Sequence, residues 1–174
     1  MTRGSGALAC GLLSLLLLTG PCGYRRARPS LPHHIHTLAI PVFQNTSRYY
    51  RLEHRLTQAV MEEFLRRARH VRIVSDPQQA DAVLLGDIRA LTSRGVLLDE
   101  AGRVRVYEIA ITVGITLRDL TRQTILFEHP RFVFRGEYEI PESPESLFAE
   151  EGPALERIAR EFARSLVSLI LFGL

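Results

Sequence analysis

Residues 107–117 read Tyr-Glu-Ile-Ala-Ile-Thr-Val-Gly-Ile-Thr-Leu. Tyr107, Ile109, Ile111, Val113, Ile115 and Leu117 fall on one side of an extended chain. Glu108, Ala110, Thr112, Gly114, Thr116 and Arg118 fall on the other. Side chains alternate across a strand with a period of two. The run therefore predicts a long antiparallel strand with one buried face. Asp119 to Gln123 then turns the chain, and Ile125 to Phe134 is expected to return as the hairpin partner.

Upstream, Ala82 to Leu91 reads as another strand, with Gly86 expected at a bulge. Thr92 to Gly102 reads as a polar connection carrying an apolar patch at Val96 to Leu98. Val71 to Val74 is a short strand followed by an Asp76-Pro77 turn. Ile35 to Phe43 is β-branched and apolar, with Pro41 pointing to a strand end or sheet edge. Two helical stripes complete the pattern. Leu52, Leu56, Val60 and Phe64 predict a helix over 48–69, with Asn45, Thr46 and Ser47 as N-caps. After a loop from Glu137 to Pro144, the residues Leu155, Ile158, Phe162, Leu166, Leu169 and Ile170 predict a second helix over about 146–171. Glu150, Glu151 and Pro153 are placed near its start. The order β-α-β-β-β-β-α implies an α+β two-layer sandwich: one mostly antiparallel twisted sheet with two helices packed on one face.

Composition agrees with one globular domain plus an appendage. The chain has 174 residues, 46% hydrophobic and 24% charged, with a net charge of +3. The apolar fraction is too high and the net charge too small for a disordered chain. All 22 basic residues are arginine. A patch built for nucleic acid usually mixes Lys and Arg, so no nucleic-acid partner is inferred.

The first residues differ in character. Arg3 is followed by an apolar run from Ala7 to Leu18, too short to span a bilayer, which needs ~20 residues. This is the pattern of a signal peptide. Leu18-Thr19-Gly20-Pro21-Cys22 resembles a bacterial lipobox, in which cleavage precedes a Cys whose thiol carries diacylglycerol. Pro21 departs from the usual Gly, Ala or Ser. Cys10 lies inside the apolar run and is a poor alternative. The expected organisation is a lipoprotein signal peptide at 1–21, a Pro- and Arg-rich lipid-anchored tether at 22–34, and a single domain at 35–174.

The search for chemistry yields little. His33, His34 and His36 invite a metal reading, but no nearby Cys, Asp or Glu completes a set, and exposed polar residues are the better reading. Glu62-Glu63 and Glu150-Glu151 could supply a general acid and base, yet both pairs fall on helices, where solvated faces are favoured. No nucleophile elbow, phosphate loop, dinucleotide fingerprint or zinc motif appears. Arg89, Arg94, Arg103 and Arg105 flank the connection around Val96 to Leu98. Guanidinium groups suit phosphate bidentately, so this stretch is the best candidate for an amphipathic phosphorylated ligand, with a solvated hairpin as the plainer reading.

Cys22-Gly23-Tyr24, Leu31-Pro32, Leu38 to Asn45, Leu52-Glu53, Leu56-Thr57, Ala80 to Gly86, the strand Tyr107 to Leu117 and the helix Glu151 to Leu171 together resemble the LptE family of lipopolysaccharide-assembly lipoproteins. The resemblance covers the whole mature chain. It implies a non-enzymatic protein on the periplasmic face of the outer membrane of a Gram-negative bacterium. It also implies an LptD-type β-barrel partner whose assembly it supports, and binding of lipopolysaccharide in transit. No cofactor is implied beyond a covalent N-acyl and S-diacylglycerol lipid on Cys22. The resemblance implies basic contacts with lipopolysaccharide near the connection before the long strand, where this chain offers Arg94, Arg103 and Arg105 as ligand-binding candidates, with Asp99 and Glu100 among them and no one-to-one match. The alternatives are a lipoprotein of the same fold that scaffolds another envelope complex without a lipid ligand, and a lipid-anchored hydrolase.

Overall fold

The computed structural model of this chain describes residues 30–139 and 144–174, the side chains of 144–152 excepted. The expected signal peptide, Cys10, Cys22 and most of the tether lie outside the described residues. So do residues 140–143 of the expected loop and the side chains of Glu150 and Glu151.

The elements are β1 (Thr37–Ala39), β2 (Gln44–Asn45), α1 (Leu52–Arg67), β3 (Arg72–Val74), β4 (Ala82–Leu98), β5 (Val104–Asp119), β6 (Thr124–Glu139) and α2 (Pro144–Gly173), with a single 3-10 turn at Pro77–Gln79. They form one six-stranded sheet in the order β3-β1-β4-β5-β6, and β2 adds to β4. The long strands β4, β5 and β6 are antiparallel, whereas β1 pairs in parallel with both β3 and β4. This is the expected α+β arrangement, with both helices over one face.

The alternation in β5 does what its pattern dictates. Ile109, Ile111, Val113, Ile115 and Leu117 are buried, and they meet Phe64 of α1 and Phe162 of α2 within the same core. Phe162 packs against Phe132 and Phe134 of β6, at ring-centroid distances of 5.8 and 5.9 Å. The two helices run in parallel, tied by Arg55–Glu156 at one end and by Arg67 donating to Ser168 Oγ at the other. Leu166, Val167, Ile170 and Leu171 pack in the core, while Phe172 and Leu174 remain exposed. Leu31 and Ile35 are buried as well, so packing begins upstream of β1.

Several boundaries differ from expectation. The expected strand over 35–43 shortens to β1, ending before Pro41, which offers no N–H to a ladder, and β2 begins only at Gln44. Strand β1 lies inside the sheet and not at an edge. Helix α1 begins at Leu52, later than expected, with Arg51 in the left-handed region (φ 63°) and no side-chain cap. Asn45 is consumed beforehand: its Oδ1 accepts from the Ser47 N–H, and its Nδ2 donates to Glu53 Oε2 at 2.6 Å. Strand β4 continues seven residues beyond Leu91, turning the expected polar connection into hairpin. Strand β6 likewise runs on to Glu139. The β4–β5 register slips between Ile88 and Ala90, between Gly95 and Leu97 and between Leu97 and Leu98, and not at Gly86. Gly86 has a different reason to be small: an added Cβ would lie 2.6 Å from the Phe43 ring. Pro153 sits inside α2, since the helix starts at Pro144.

Candidate functional site

The polar stretch Thr92-Ser93-Arg94 pairs as strand with Ala110, Ile109 and Glu108. It is polar because little covers it. A helix of 16 residues such as α1 spans about 24 Å, whereas β5, also 16 residues, spans about 50 Å. The distal end of the β4–β5 hairpin therefore runs past α1. Val96, Leu97 and Leu98 are exposed there at 43%, 56% and 60%. The hairpin closes through Asp99: its Oδ1 accepts from the Ala101 and Arg103 N–H groups, and Gly102 takes the left-handed conformation (φ 76°) that the turn requires. The Arg103 N–H bond, with the guanidinium beside it, holds the Asp99 carboxyl below the usual carboxylate range.

The structure gathers the three expected arginines at one end of the molecule but not on one face. Arg94 Nε donates to Glu108 Oε1 at 2.9 Å on the open face of the sheet. Arg103 Nε donates to Asp99 Oδ2 at 2.9 Å in the turn. Arg105 is half-buried and sits where the β4–β5 register slips, between Val104 opposite Leu98 and Val106 opposite Leu97. Tyr107 stacks on Tyr138 across the β5–β6 pair, with ring centroids 5.5 Å apart. Arg89 lies further along β4, with Nε 3.0 Å from Asp87 Oδ2.

Sequence reasoning missed the cavity beside this hairpin. A space of about 320 Å³ opens between the sheet and the first half of α2, lined by residues that include Tyr49, Leu91, Ile109, Tyr138, Leu155 and Ile158. It is mostly apolar. The signal was present in the alternation of Leu91 and Ile109, but locating a cavity requires knowing that α1 stops short. The arrangement offers an apolar slot beside cationic groups, which suits a ligand with acyl chains and anionic heads.

The remaining candidates resolve as structural. His34 does not sit as an exposed polar residue: its Nε2 is 2.6 Å from Oδ2 of the fully buried Asp119. His33 and His36 are exposed. Among the described residues no group of three His, Cys, Asp or Glu is placed to hold a metal ion. Glu63 is not on a solvated face. It is buried and ion-paired with Arg66 and with Arg67, whose Nε is 2.6 Å from Oε1. Glu62 is exposed and accepts from Gln58.

The class is thus an α+β module with a projecting hairpin and an apolar slot, in which no described cluster resembles a catalytic centre. The family model for LptE, lipopolysaccharide-assembly, matches residues 35–170, and the chain belongs to that family. Membership makes it a bacterial envelope lipoprotein of a non-enzymatic assembly family. No curated protein matches the chain. Among solved structures it is similar to a protein from Xanthomonas campestris, with TM-score 0.52 and 16% identity over 84% of this chain and 88% of that one. It is also similar to lipoprotein B from Nitrosomonas europaea (0.49, 17%, 84% and 85%) and to the rare lipoprotein B from Shewanella oneidensis (0.45, 18%, 79% and 92%). At these identities the likeness to the Xanthomonas protein is one of fold.

Proposed function

We propose that this chain is the lipid-anchored accessory subunit of the outer-membrane lipopolysaccharide translocon. In this reading it supports assembly of an LptD-type β-barrel and binds lipopolysaccharide during insertion into the outer leaflet. Cys22 carries the acyl anchor and holds the domain on the periplasmic side of the outer membrane. Arg94, Arg103 and Arg105 meet the phosphates of the ligand, and the slot beside Leu91 and Tyr138 takes apolar chain. The chain performs no catalysis.

The observation that supports this most is the family match over residues 35–170. The hairpin adds a physical basis. Three guanidinium groups and three exposed aliphatic side chains share one end of the molecule, and lipopolysaccharide presents phosphate and acyl groups together.

The test is purification of C-terminally tagged protein from outer membranes in mild detergent. A large β-barrel in about equal amount, with lipopolysaccharide, is expected. A lone protein, or another partner without lipopolysaccharide, would overturn the reading in favour of a scaffold for a different envelope complex.

A further inference from the structure

The end of the domain opposite the hairpin has its own character. Strand β5 finishes there at Asp119, β1, β3 and β4 start there, and both helices end there. Arg69 and Arg72, between α1 and β3, are exposed, as are Arg118 and Arg122 around the β5–β6 turn. None of the four is in an ion pair among the described residues. Phe172 and Leu174 extend the same end with exposed apolar surface, at 72% and 45%.

Glu128 and Asp76 are exposed near this end, but the other acids here are turned inward. Glu63 is committed to Arg66 and Arg67. Asp81 Oδ2 accepts from the His36 and Thr37 N–H groups at 2.8 Å and from Thr37 Oγ1 at 2.9 Å. Asp119 is fully buried among His34, Thr121 and the Arg122 N–H. Four exposed arginines thus face two exposed carboxylates, so the surface is net positive although the whole chain carries only +3.

Chain geometry says what such a surface meets. The nine residue steps from Cys22 to the buried Leu31 reach at most about 30 Å. Turning the molecule so that the hairpin tip faced the bilayer would require that tether to run the length of β5, about 50 Å. The tether thus limits the domain to presenting its cationic end, or its flank, to the membrane that holds Cys22.

We propose that the surface formed by Arg69, Arg72, Arg118 and Arg122, with Phe172 and Leu174 at the β6 side of the same end, docks on the anionic phospholipid headgroups of the membrane to which the chain is anchored. This rests on the lipid-anchor reading of Cys22. Arginine forks bind phosphodiester oxygens, and a partly exposed Phe beside them settles at the headgroup level. Docking fixes the hairpin as a mast pointing away from that leaflet. Each arginine near an anionic surface contributes roughly fivefold to partitioning.

The chain contains no Trp, so Phe172→Trp gives a unique fluorophore at this end and Leu97→Trp one at the other. Each acylated mature protein is reconstituted with vesicles of phosphatidylcholine alone or mixed with phosphatidylglycerol. The expected result is a blue shift, and quenching by headgroup spin labels, for Phe172→Trp on phosphatidylglycerol vesicles only. Salt should reverse it, and Leu97→Trp should not change. Replacing all four arginines with Gln should abolish the shift and weaken binding of the unacylated full chain by about a hundredfold or more. Equal emission on both vesicles, a shift at Leu97→Trp instead, or the same shift with inorganic phosphate alone would each overturn the proposal. Flotation separates the two readings. A chain that floats with both vesicles but shows no shift overturns docking alone. One that floats with phosphatidylglycerol only, and only with the arginines intact, supports docking and overturns the anchor. One that floats with neither overturns both.

Discussion

Nε2 of His34 lies 2.6 Å from Oδ2 of Asp119, joining the segment that precedes β1 to the turn between β5 and β6. The carboxylate is fully buried, and its other oxygen accepts from the Thr121 N–H, the Thr121 hydroxyl and the Arg122 N–H. His34→Ala removes one charge-assisted hydrogen bond and should cost about 1–3 kcal/mol. Asp119→Ala removes the acceptor for all four donors and should cost about 3–5 kcal/mol, in the range for breaking a buried charged pair. Urea unfolding reads both. Midpoints unchanged in both variants would mean that this contact contributes nothing to stability.

The same carboxylate sets an acid limit. Burial pushes the Asp119 carboxyl up. The hydrogen bonds from Thr121, His34 and the Arg122 N–H outweigh that and hold it well below the usual carboxylate range. The N–H and hydroxyl donors of His36 and Thr37 lower Asp81 likewise. Unfolded, an aspartate titrates near pH 4. A group depressed on folding stabilises fully above its unfolded pKa, and that stability is lost as pH falls through the folded value. Stability should therefore be level above about pH 5 and fall below about pH 4. Asp119→Asn should be less stable at neutral pH and fall less steeply in acid. Parallel declines in variant and parent would exclude Asp119 as a source of the slope.

Gly86 and Phe43 give a packing test. An added Cβ would lie 2.6 Å from the ring, so Gly86→Ala should cost about 1–3 kcal/mol by overpacking. Phe43→Ala alone should cost about 3–5 kcal/mol. The double variant should cost less than the sum, because removing the ring makes room for the new methyl group. Additive costs in a double-mutant cycle would show that the two positions are not coupled.

What could be read from residue order was whatever a single element decides for itself. The strand from Tyr107 to Leu117 and the stripes of α1 and α2 each carry their own periodicity, so their type and buried face were legible. Pro41 marked a break, yet the parallel, interior position of β1 depends on β3 and β4, which no local pattern encodes. The extension of β4 through Arg94 to Leu98 was hidden because hydropathy reports what covers a strand. Thr92 to Arg94 is polar where α1 no longer covers it, which interrupts the apolar pattern before Val96 to Leu98. His34 looked like linker because its partner is 85 positions away, and Glu63 looked solvated because its charge is offset by Arg66 and Arg67 on its own helix. The arginines of the hairpin were legible as a group, but their division among strand, turn and register slip needed the pairing beyond Gly95.

That division shapes the expected result of substituting them. Arg94 and Arg103 are highly exposed and paired with carboxylates. Exposed pairs contribute about 0–1 kcal/mol, so Arg94→Gln and Arg103→Gln should leave thermal unfolding nearly unchanged. Lipopolysaccharide binding by the purified protein should fall with Arg94, Arg103 and Arg105 all replaced. Leu91→Arg, which places charge in that slot, should reduce binding independently. Equilibrium binding that is unchanged in the triple variant would remove the hairpin arginines from the ligand site.

In the proposed reading, Cys22 sets where all of this takes place. An acyl-bearing residue with several chains gives durable attachment, because each buried methylene adds roughly 0.8 kcal/mol and one chain alone binds only marginally. The described packing begins near Leu31, so Cys22→Ser should leave the fold of the domain intact by circular dichroism. It should also abolish the lipid-dependent mass increase of the mature protein. In fractionated cells the variant should leave the outer membrane and collect in the periplasm, or remain as a precursor of unreduced size. Pro21→Gly should act in the opposite direction and speed conversion of precursor to mature form, because it restores a small residue before the acceptor Cys. If the Cys22→Ser protein stayed in the outer membrane at the parental level, the β-barrel partner would be holding it there, and the lipid would be dispensable for localisation.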